Sequence, residues 1–132
     1  MDENLFKQRT KQLALRVIQL VEALPKNQTA TVVGRQLVRS ATSIGANYRA
    51  ACRGRSTADV IAKLRIVEEE ADESAYWMEL LIESGLLHAA QVSELLQETD
   101  EIIAMTVASI RTLQKRDSSS PFNRKSKIEN RK

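Results

Sequence analysis

Apolar residues recur at helical spacing along most of the first 115 positions, and the recurrence breaks only at a few turn-forming residues. Phe6, Leu13, Val17, Leu20, Val21 and Leu24 share one side of a helix that the pattern places from about Glu3 to Leu24. Pro25 ends it, because the residue before a proline is pushed out of the helical region. Lys26 to Thr31 read as a polar connection. A second helix follows from about Thr31 to Arg53, with Leu37, Ala41, Ile44, Tyr48 and Cys52 on its apolar side. Gly34 and Gly45 lie inside it, each costing about 1 kcal/mol relative to alanine. Gly45 belongs to the small-residue run Ser43-Ile44-Gly45-Ala46-Asn47, which would let a neighbouring helix come close. Gly54 is the expected stop.

The third helix opens at Ser56, with Asp59 in a capping pattern, and continues to Ser84 before Gly85. Val60, Leu64, Val67, Ala71, Ala75, Met78 and Ile82 form its apolar stripe. The fourth runs from about Ala89 to Lys115, with Val92, Leu95, Leu96, Thr99, Ile103, Thr106, Val107, Ile110 and Leu113 facing inward. Four matched amphipathic helices with short connections predict an all-α, antiparallel, up-down-up-down four-helix bundle over residues 1–116. Ser118-Ser119-Ser120-Pro121 breaks the pattern, and residues 117–132 read as a disordered, flexible basic tail.

Composition agrees with this reading. The chain has 132 residues, enough for one domain with a real core, and only two prolines and four glycines interrupt it. No apolar run approaches the roughly 20 residues that a membrane span needs. The N-terminal MDENLFKQRTKQ holds no apolar signal segment, so a cytoplasmic location is the expectation. The single cysteine, Cys52, sits on the apolar side of helix two and reads as a buried thiol.

Charge changes the picture more. The net charge of +3 conceals blocks of opposite sign. Residues 25–55 carry +6 and residues 56–84 carry −6, while the tail from 117 carries +3. Between Pro25 and Arg55 there are six basic residues and no carboxylate. At about 100° per residue, Arg35, Arg39, Arg49 and Arg53 fall within roughly 40° of one direction, opposite the apolar side, with Thr42 and Ala46 between them. With Arg55 they form a candidate anion-binding ridge on the outside of helix two.

Residues that carry out reactions are not arranged for chemistry. A carboxylate-bridged metal pair needs Glu-x-x-His on two helices, and the chain's one histidine, His88, has Gly85 three residues before it. His88 reads as an exposed loop residue. Glu68, Glu69, Glu70, Asp72, Glu73, Glu79 and Glu83 crowd helix three, but acid–base work needs two carboxylates converging in a pocket. They read as a solvated acidic face, or one that meets arginines of another helix or subunit. Glu70 and Trp77 share a partly apolar side with Ile66 and Leu81, expected at a helix or subunit contact. Ser43 lacks a strand-to-helix elbow, and no G-x-x-x-x-G-K phosphate loop is present. No enzyme activity, catalytic residue, cofactor or metal is expected.

The stretch QLVRSATSIGAN (Gln36 to Asn47), the R-x-R-S turn (Arg53 to Ser56) and the E-x-x-E-x-x-Y-W-x-x-L-L run (Glu70 to Leu81) together resemble a known family. It is that of the bacterial four-helix-bundle proteins first noticed in intervening sequences of 23S ribosomal RNA genes. The likeness covers roughly residues 5–115. It implies a homopentamer arranged as a barrel with a central channel, and RNA or DNA binding by a basic surface. A related bundle, the accessory variability protein of diversity-generating retroelements, assists a reverse transcriptase and binds nucleic acid. The chain departs from the family where many members carry a glutamate shortly after the helix-two asparagine; Arg49, Ala50 and Ala51 stand there instead.

Two accounts of the ridge remain open. Arg35, Arg39, Arg49, Arg53 and Arg55 contact nucleic-acid phosphates, without aromatic platforms and so with weak sequence preference. Alternatively they pair with the acidic third helix of the same or the next subunit, or dock an acidic protein partner such as a polymerase.

Overall fold

The computed structural model describes residues 2–119, with side chains through residue 117. It holds four helices and, among the described residues, no strand: α1 (Glu3–Glu22), α2 (Gln28–Cys52), α3 (Thr57–Glu83) and α4 (Ala89–Ser119). The ends are set by local hydrogen bonding. Asp2 caps α1 by accepting from the N–H groups of Asn4 and Leu5. Asn27 caps α2 by accepting from the Ala30 N–H at 2.9 Å, so that helix begins three residues before Thr31. Ser56 accepts from the Asp59 N–H at 3.1 Å, while Asp59 accepts from the Arg55 N–H at 3.2 Å, a reciprocal cap for α3. Gly85, at φ +81°, supplies the left-handed turn after α3. The His88 N–H donates to Gln91 Oε1 at 2.8 Å at the start of α4, and His88 itself is exposed. The α4 helix continues to Ser119, past the expected Lys115; residues 120–132 of the expected tail lie outside the described residues.

The backbone of each helix lies closest to its two neighbours in the cycle α1–α2–α3–α4. Gly45 of α2 lies against Thr10 of α1, and Gly34 against Val21 and Leu24, so the two helices run antiparallel at close range. Ser40 of α2 meets Ser74 of α3, whose hydroxyl donates to it at 2.9 Å. Gly54 is not in the left-handed region. It is needed because a Cβ there would fall 2.4 Å from Val60 Cγ2. The core is filled by Phe6, Leu13 and Val17 from α1, Leu37, Ala41 and Ile44 from α2, Val67, Met78 and Leu81 from α3, and Val92 and Ile102 from α4. Leu81 is fully buried and faces the core, not the flank expected for it beside Trp77. Thr99 and Thr106 are also fully buried, their hydroxyls donating to the carbonyls of Leu95 and Ile102 at 2.7 Å each.

The α1–α4 seam has the fewest contacts of the four and is bridged by charge. Arg9 pairs with Glu98 and lies 3.8 Å from Glu101, and Arg16 pairs with Glu94 at 2.8 Å. No helix among the described residues is long and apolar enough to cross a membrane.

Candidate nucleic-acid interface

The buried side of α2 fixes what its other side displays. Leu37, Ala41 and Ile44 show no exposed surface and Tyr48 shows 6%. Helical spacing then turns Arg35, Arg39, Arg49 and Arg53 outward, and all four are exposed, as is Arg55 beyond the helix end. The expected ridge is therefore present as one surface feature.

Its members differ in electrostatic state. Arg39 is tied to α3: Nη1 lies 3.3 Å from Glu70 Oε2, Nη2 pairs with Glu73, and Nε donates to Gln36 Oε1 at 3.3 Å. The Glu73 hydrogen bond, with the charge of Glu70, holds the Arg39 guanidinium above its ordinary pKa. This places Glu70 at a helix contact, as its partly apolar side led us to expect. Arg35, Arg49, Arg53 and Arg55 make no ion pair with any described residue. Arg49 lies in the last turn of α2, where the helix dipole favours a cation.

The unpaired cations form two groups. Arg35 lines a groove of about 560 Å³ with Lys26 and Glu22, where Gly34 lets the surface dip. Arg49, Arg53 and Arg55 gather at the other end of α2. Between them lie Arg39, held by Glu70 and Glu73, and the small neutral positions Thr42 and Ala46. Thr42 donates to the Val38 carbonyl at 2.7 Å, and its neighbour Ser43 donates to the Arg39 carbonyl at 2.7 Å, so neither hydroxyl is held ready for a ligand.

The acidic residues of α3 do not converge. Glu69, Asp72, Glu79 and Glu83 are exposed, and Glu69 and Asp72 share with Tyr76 a shallow depression beside the Arg39 pair. No cluster of three metal-ligating side chains occurs among the described residues. Tyr76 and Trp77 stack edge to face with centroids 5.2 Å apart on the acidic helix, with Tyr76 in the depression that Arg39 also lines.

One feature escaped the sequence. A cleft of about 610 Å³ opens at the end of the bundle where α1 begins and α4 finishes, lined by Glu3, Tyr48, Cys52, Leu64, Met105 and Arg116, among others. Cys52 is therefore half-buried at a cleft wall instead of enclosed, and burial still pushes its thiol pKa up. Burial raises the Tyr48 phenol as well. The small residues Ala51, Ala108 and Ser109 were the available signal, since they cannot fill the space where the helices end.

A four-helix bundle with a basic outer helix beside an acidic one is thus the class that fold and surface define. The comparisons place it more narrowly. The family described as 23S rRNA-intervening sequence protein matches residues 2–108, and the chain belongs to that family. A crystal structure from Bacteroides thetaiotaomicron VPI-5482, described as a protein with unknown function from the S23 ribosomal protein family, is 36% identical. That match covers 84% of this chain and 99% of the other, with a TM-score of 0.78. No curated protein matches the chain.

Proposed function

We propose that this chain is a non-enzymatic, oligomeric scaffold that binds RNA or DNA through the α2 ridge. The observation that carries the reading is the set of four exposed arginines, Arg35, Arg49, Arg53 and Arg55, with no carboxylate partner among the described residues. Arginine's planar fork suits phosphate oxygens, and phosphate contacts give affinity without sequence preference. Family membership supports an assembly of several copies, a homopentamer by the resemblance noted above.

The Arg39 pairing with Glu70 and Glu73 favours a second reading for part of the ridge. There, basic and acidic helices serve assembly across subunits or dock an acidic protein such as a polymerase. Binding to fluorescent RNA and DNA, measured with the solution mass, separates the two. In Arg49→Glu/Arg53→Glu, lost binding with an unchanged mass supports the phosphate track. Retained binding with a broken oligomer overturns it in favour of the interface.

A further inference from the structure

The unpaired cations of the ridge are not evenly spaced, and the spacing bears on what kind of polyanion fits. Arg35 with Lys26, in a groove that Glu22 also lines, marks one group, and Arg49, Arg53 and Arg55 mark the other. From Arg35 to Arg49 the helix rises about 21 Å. Arg39, the one arginine within that interval, is occupied by Glu70 and Glu73, and the outward positions Thr42 and Ala46 are small and neutral. We propose that the α2 face docks on a nucleic-acid duplex, each arginine group holding one of the two phosphate strands that border a groove. The proposal rests on the nucleic-acid reading above and narrows it.

Two features favour a duplex over a single strand. A strand laid along the ridge would leave its phosphates between the two groups without a free cation. A duplex crossing the ridge puts its charge at the two rims and its groove, roughly 12 Å wide for the major groove of B-form DNA, over Thr42 and Ala46. A phosphate on each rim brings the strand-to-strand span close to the spacing of the arginine groups. The second feature is that, among the described residues, no exposed ring stands with the unpaired arginines. Binders of single strands stack bases on aromatic rings. Here Phe6 and Tyr48 pack on each other inside the bundle with centroids 4.4 Å apart, and the ring near the ridge, Tyr76, sits on α3 among Glu69, Asp72 and the paired Arg39, not with the unpaired arginines. The Thr42 and Ser43 hydroxyls give their protons to backbone carbonyls, so they offer base edges no donor and sequence preference should be slight.

The test is fluorescence anisotropy of the full chain with a duplex DNA and a duplex RNA of about 20 base pairs, and with each separated strand. The expected result is duplex binding at least about tenfold tighter than strand binding at the same salt. The ratio cancels any affinity that both probes share. Four phosphate contacts per chain give a slope of log K against log salt of about −3.6, or roughly 10²-fold weaker binding between 50 and 200 mM. Arg35→Ala, and separately Arg49→Ala/Arg53→Ala, should bring the duplex-to-strand ratio toward one, because each leaves a single grip. A DNA duplex preferred over an RNA duplex assigns the B-form groove, and the reverse assigns the A-form; both support the proposal. Equal or tighter binding of single strands overturns it while the nucleic-acid reading stands, as does an unchanged ratio in Arg35→Ala. No binding to any probe overturns both. Thermal melts matching the unaltered chain verify that the arginine variants fold.

Discussion

Gly45→Ala should destabilise this bundle although the same change in an open helix would stabilise it. Alanine is favoured over glycine in a helix interior by about 1 kcal/mol. At position 45 the new Cβ would lie 3.1 Å from Thr10 Oγ1, 3.4 Å from Thr10 Cβ and 3.7 Å from the Thr10 carbonyl carbon. Thr10 cannot step aside cheaply. It is fully buried, its hydroxyl is held by the carbonyls of Phe6 at 3.0 Å and Lys7 at 3.1 Å, and a β-branched side chain on a helix has few rotamers to move to. Rotation would leave a buried hydroxyl unsatisfied at about 1–3 kcal/mol, so α1 and α2 must separate by a few tenths of an ångström instead. Overpacking of this kind costs about 1–3 kcal/mol, which exceeds the propensity gain and leaves a net loss of about 1 kcal/mol. Thermal unfolding at fixed protein concentration should show a Tm lower by about 3–5 °C. A double-mutant cycle sharpens the test. In a Thr10→Ala background the hydroxyl contact is gone, and Gly45→Ala should then raise the Tm. A Gly45→Ala protein more stable than the parent, or one whose effect is the same with and without Thr10, would refute the close-approach argument.

Three further outcomes follow from the same contacts. Gly54→Ala places a Cβ 2.4 Å from Val60 Cγ2 and 3.1 Å from the Ala51 carbonyl oxygen, and should cost about 2 kcal/mol in urea unfolding. Glu98→Gln weakens the half-buried pair with Arg9 on the α1–α4 seam; we expect a loss of about 1 kcal/mol that largely disappears when Arg9 is already methionine. Tyr48 and Cys52 both hold their protons more tightly in the folded chain, so their contribution to stability is intact below the ordinary thiol and phenol values of 9.0 and 10.0 and is lost as pH rises past them. Each group steepens the alkaline fall by at most about 1.4 kcal/mol per pH unit, and Tyr48→Phe should flatten it above pH 10 in denaturant titrations.

Periodicity made the outward ridge legible because it depends on one helix alone. Once Leu37, Ala41, Ile44 and Tyr48 face the core, Arg35, Arg39, Arg49 and Arg53 have nowhere else to point. The capture of Arg39 by α3 was not legible as a particular pair. It depends on the register that sets Ser40 opposite Ser74, and register between helices is decided by packing that neither sequence pattern contains. Leu81 was misplaced for a related reason. It lies near the border of the α3 stripe, where a small drift of the helix decides between flank and core. The role of Gly54 and the half-open position of Cys52 both arise where helix ends meet, at the close pass of α3 and at the cleft. An expectation built one helix at a time cannot see such places.

The division of labour among the arginines gives the functional argument its force. Arg9 and Arg16 bridge the thinly packed α1–α4 seam, and Arg39 bridges α2 to α3. The fold therefore uses arginine at seams, where a carboxylate on the facing helix answers it. Arg35, Arg49, Arg53 and Arg55 have no such answer, although α3 carries exposed Glu69, Asp72, Glu79 and Glu83. Among the described residues no ion pair joins the two sets, so their charges are open to partners from outside. A second copy of the chain could bring its acidic helix to the ridge, and a polyanion could bring its phosphates, but the same guanidinium cannot serve both at once. Assembly through the ridge would make an added polyanion dissociate the oligomer, whereas assembly elsewhere would let it bind with the subunit count unchanged. The competition between those two outcomes, not the charge itself, is what assigns the ridge.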